Sequence, residues 1–97
     1  MNADQYAEEY KKVEASFGLD HALTWLFTSL MQRAIDLACE RAHVKFEDVK
    51  AGKAFVKDEI MRSAAKETIQ MWRKIARKNP ELKEGGYEEL LKRKGLL

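Results

Sequence analysis

Between Asp20 and Val44 lies a helix-length stretch whose apolar residues occupy half of the helical circumference. At about 100° per residue, Leu23, Leu26, Phe27, Leu30, Ala34 and Ala38 fall with Met31, Ile35 and Leu37 on one arc roughly 180° wide, interrupted by Thr24 and Arg41. A rod that apolar needs several covering surfaces, so other helices must surround it. Its opposite side carries His21, Gln32, Arg33, Asp36, Glu40 and His43, which rules it out as a membrane span.

The rest of the chain also reads as helix. Ala3 to Phe17 has apolar residues three and four apart (Ala3, Tyr6, Tyr10, Val13, Phe17), with Asn2 or Asp4 as the cap and Gly18 ending it in a left-handed turn. Asp20 is expected to cap the second helix, which continues to His43 or Val44. The stretch KFEDVKAGK breaks the chain, and a third helix starts near either Asp48 or Lys53. From Ala54 onward Ile60, Ala64, Ile69, Trp72, Ile75 and Ala76 share one face, with Thr68 as its polar member, until Asn79 and Pro80 stop the helix. Glu84-Gly85-Gly86 reads as a hinge before a short last helix from Tyr87 to Lys94, which buries Leu90 and Leu91. The expected fold is all-α: an elongated bundle of two long antiparallel helices, a shorter N-terminal helix and a short C-terminal one. Residues 1–97 form a single domain, with 84–97 hinged.

Dimensions suggest what such a fold lacks. The two long helices would run roughly 36 to 40 Å, whereas a sphere of this chain length is only about 32 Å across. The first helix covers part of the groove between them. Apolar surface left over on that scale marks a partner site, and symmetric self-association is its commonest use. A homodimer is therefore expected, with Leu23, Phe27, Leu30, Trp25 and Trp72 at the interface. The alternative is that the last segment folds back and caps the groove.

Composition narrows the setting. With 45% hydrophobic and 35% charged residues and one Pro, the chain is neither disordered nor a many-turned β protein. Cys39 is the single cysteine and MNADQYAEEYKK lacks a signal-peptide pattern, so a cytoplasmic setting is expected, with no membrane association. Residues 1–49 carry five Lys/Arg against nine Asp/Glu, and residues 50–97 carry thirteen against seven. Either the two halves attract each other, or the basic half faces an anionic partner.

Three constellations could carry chemistry. Glu40 and His43 form a Glu-x-x-His pair of the kind that places two ligands on one side of a helix, and dimerisation could complete a di-iron type metal site. Cys39, four residues before His43, would be a thiolate nucleophile only with an orienting group that the sequence does not specify. Arg62, Lys66, Arg73 and Arg77 fall within about 60° on the third long segment, a spacing that can track phosphates of a nucleic acid and equally makes a solvated face. Trp25 stands on the polar side of the second helix, either as a partner anchor or packed under Tyr6 or Tyr87. The stretch VKFEDVKAGKAF resembles, over about a dozen residues, the loop and third helix of a histone fold, although the short first loop of that fold is missing.

No glycine-rich phosphate loop, Cys-x-x-Cys, nucleophile elbow or His-Glu-x-x-His motif is present. The expectation is a non-enzymatic, oligomerising helical module that binds another protein and uses no cofactor. Nucleic-acid binding through the basic stripe and a metal site at Glu40/His43 are the alternatives.

Overall fold

A computed structural model describes residues 1–97 as five helices without strands: α1 (Ala3–Phe17), α2 (Leu19–Arg41), α3 (Phe46–Lys50), α4 (Asp58–Lys78) and α5 (Gly86–Arg93). The bundle measures 41 × 23 × 22 Å with a radius of gyration of 14.0 Å, longer than the roughly 12.5 Å of a typical domain this size. The expected elongation is present, and no helix is long and apolar enough to cross a membrane.

Helix α1 opens with a reciprocal cap: the Gln5 N–H donates to Asn2 Oδ1 at 2.9 Å, and the Asn2 N–H donates to Gln5 Oε1 at 2.8 Å. Asn2, not Asp4, is therefore the cap. A single residue, Gly18, then joins α1 to α2. Its dihedrals, φ 90° and ψ 172°, lie outside the expected left-handed helical region, in a region open essentially to glycine alone. The Gly18 N–H still closes α1 on Glu14 O, while its carbonyl already accepts from Ala22 N–H. The turn is so tight that α2 begins at Leu19. Asp20 consequently sits in the first helical turn, where its charge complements the helix dipole, and α2 has no side-chain cap. The two helices fold back on each other. Tyr6 and Trp25, roughly 28 Å apart along a continuous helix, have ring centroids separated by 6.2 Å.

One ridge of α2 carries the core. Ala22, Leu26, Leu30, Ala34 and Ala38, spaced by four, are all at most 1% exposed. The ridge is bulky at Leu26 and Leu30 and small at Ala22 and towards the C-terminus, where Ala64 and Ala65 of α4 are buried as well. In α4 the projected face is largely the buried one: Ala64, Ala65, Thr68, Ile69, Trp72, Ile75 and Ala76. Its start differs from both expected positions. Between α2 and α4 the chain forms the five-residue α3 and an irregular stretch, 54–57, so the histone-like segment is neither a plain loop nor a long helix. Helix α4 stops where expected, with Asn79 extended ahead of Pro80 and its Nδ2 donating back to Ile75 O at 2.9 Å.

The C-terminal segment is not a free hinge. Helix α5 lies against the bundle with Tyr87 and Leu91 at 0% exposure, whereas Leu90 is only half-buried. Its first residue, Gly86, lies close to the Trp72 ring: a Cβ there would be in ordinary contact, 3.7 Å from Trp72 Cζ2. The last segment thus folds back and caps much of the groove that would otherwise have called for a partner.

Candidate interaction site

Trp72 organises the capped groove. Its ring stacks on Phe27 at 4.8 Å and lies 5.8 Å from Tyr87, and its Nε1–H donates to Lys83 O at 2.8 Å. Beneath it, the Thr68 hydroxyl donates to Ala65 O at 2.8 Å and lies 2.7 Å from the Tyr87 hydroxyl. Thr68 has one hydrogen and has given it to Ala65, so Tyr87 is the donor to Thr68. Burial pushes the Tyr87 phenol up to about 12. Tyr10 is likewise raised, by burial first and then by the carboxylates of Glu81 and Glu14; its hydroxyl donates to Glu81 Oε1 at 3.1 Å. These shifted groups brace the bundle.

Of the five residues expected at an interface, two are corrected by this packing. Leu30 is 0% and Trp72 1% exposed, because α1 and α5 supply the cover that the helical projection assigned to a second chain. Leu23 and Phe27 are half-buried. With Trp72 as floor, they line a mostly apolar groove of about 210 Å³ that is completed by Leu82, Gly86, Glu81 and Lys83. Trp25 is separate from it, half-buried beside Tyr6 at the α1–α2 contact.

The basic stripe is present but interrupted. Arg73 Nη2 pairs with Glu88 Oε2 at 3.2 Å, and Lys66 and Arg73 share a surface depression with Glu67 and Glu88. Arg62, Lys66 and Arg77 are exposed and make no ion pair.

The Glu40/His43 pair straddles the end of α2. Helix α2 ends at Arg41, and His43 has a φ of 57°. The Val44 N–H donates to Cys39 O and the His43 N–H to Glu40 O, the two bonds of a Schellman cap with histidine in the position glycine usually takes. The same motif recurs with Gly52 after α3 and Gly95 after α5. The cap takes His43 out of the regular helix, so a spacing of three no longer guarantees that it shares a face with Glu40. Nor does any group of three His, Cys, Asp or Glu side chains converge. Cys39 is buried, and burial, with the nearby Asp36 charge, pushes its thiol up, away from thiolate character.

A second apolar site lies at the other end, where the sequence indicates only a chain break. Val49, Ala54, Val56, Met61 and Leu96 line a cleft of about 400 Å³ beside Phe55, whose side chain is 76% exposed. The available signal was an aromatic residue in a Lys-rich non-helical linker, which helical periodicity does not register.

The chain matches no protein-family model, no curated protein and no solved structure.

Proposed function

We propose that this chain is a helical interaction module that works by docking onto another polypeptide. The observation that carries the reading is the convergence of Leu23 and Phe27 over Trp72 on one apolar groove, with Glu81 and Lys83 offering one charge of each sign. That arrangement suits the apolar face of an amphipathic helix flanked by charged residues. Catalysis has less support. The groove offers Glu81 and Lys83 as its polar side chains, and every buried polar side-chain atom is hydrogen-bonded within the chain. Binding to phosphates through Arg62, Lys66, Arg73 and Arg77 ranks behind docking because Glu67 and Glu88 lie among those cations.

The reading is tested by placing a photo-crosslinking residue at position 23 in cells that express the chain, with position 12, on the exposed face of α1, as the control. A second polypeptide is expected to be captured from position 23 and not from position 12. Capture at neither position, or equally at both, overturns the reading.

A further inference from the structure

We infer that the cleft at the α3 end is a self-docking site, in which Phe55 of one copy enters the cleft of a second copy and receives that copy's Phe55 in return. The inference rests on the interaction-module reading but uses a surface remote from Leu23. Phe55 stands in the irregular stretch 54–57, with 76% of its surface in water. It is a wall of the neighbouring cleft and leaves that space unfilled. A cavity of about 150 Å³ is enough for a benzene ring, and this cleft, at about 400 Å³ with Val49, Val56, Met61 and Leu96 in its lining, admits an aromatic side chain with room to spare.

Two features select a second copy as the occupant. Projection and hole belong to one patch, so each copy can fill the other and the contact closes as a two-fold dimer without propagating. The patch is also self-complementary in charge. Asp58 and Arg62 both line the cleft, and neither is ion-paired within the chain. A two-fold axis through the patch sets each aspartate against the arginine of the other copy. An unrelated partner would need to supply both the ring and the matching charges.

Sedimentation equilibrium of the purified chain tests this, starting from a monomer of 11.2 kDa. The mass should double with concentration. Phe55→Ser, which changes an exposed side chain and should leave the circular dichroism unaltered, should weaken the dimer by about 100-fold, since two rings lose their cover. Arg62→Asp should also weaken it, and the exchanged pair Asp58→Arg/Arg62→Asp should restore association. A wild-type chain that stays monomeric up to about 1 mM overturns the inference, as does a Phe55→Ser variant that dimerises as tightly as wild type. Neither result bears on crosslinking at position 23, so failure of the docking reading is seen separately.

Discussion

The hydroxyls of Tyr10 and Tyr87 tie alkaline stability to packing. Both phenols are held above the ordinary value of 10.0, so the folded state favours their neutral forms. A folded-state value raised in this way contributes stability that is complete below pH 10 and disappears as the pH climbs through the folded value. Resistance to urea should therefore begin to fall near the ordinary thiol value of 9.0, through the raised Cys39, and fall more steeply between about pH 10 and pH 12 as the phenols come into play. Tyr87 alone accounts for roughly 2 kcal/mol of that fall once solvent screening is allowed for. In a Tyr10→Phe/Tyr87→Phe variant most of that fall should disappear, leaving the part that the raised Cys39 thiol contributes. A wild-type profile that is flat between pH 10 and 12 would show that the two phenols ionise as freely in the fold as in the unfolded chain.

Among the elements, the helix ends carry the most contrast. Gly18 has open space around its Cα, so adding a methyl there creates no clash, only a backbone conformation that alanine avoids. Gly18→Ala should cost about 1 to 3 kcal/mol, and Gly85→Ala, at φ −92° with equally open space, should cost nothing. His43 presents the opposite case, a side chain where glycine serves better, and His43→Gly should raise stability by about 1 kcal/mol. Thermal unfolding of the three variants reads all of these. The same ends mark where sequence reading stopped. Helix α1 was legible to the residue because Asn2 and Gly18 frame an unbroken periodic stripe. The end of α2 was not, because Ala42, His43 and Val44 continue the apolar and polar pattern, and only backbone hydrogen bonding shows the cap. Helix α3 was missed because five residues are too few for a period to appear.

At the scale of the molecule, the error of the sequence reading concerned cover. Periodicity identified Leu30, Trp72 and Ile75 as apolar-facing, and all three are enclosed. It could not say which surface encloses them, since that depends on how the turns after Phe17 and Asn79 bring α1 and α5 back onto α2 and α4. The Leu23 and Phe27 groove was accordingly half legible, and the Phe55 cleft, formed by a linker and the chain's last turn, was not. If α5 is an integral wall, Leu91→Ala should cost about 2 to 5 kcal/mol, with tryptophan fluorescence and circular dichroism still unfolding together. Separate transitions for the two signals would mean that α5 detaches by itself.

The ridge of α2 carries its two leucines between Ala22 and the alanines of its second half, and that order divides the labour of the rod. Bulky side chains near Leu26 lock three helices into a stiff head, while alanines near Ala38 hold two helices with thin adhesion. Small side chains there let α2 and α4 approach closely at the end that bears Phe55.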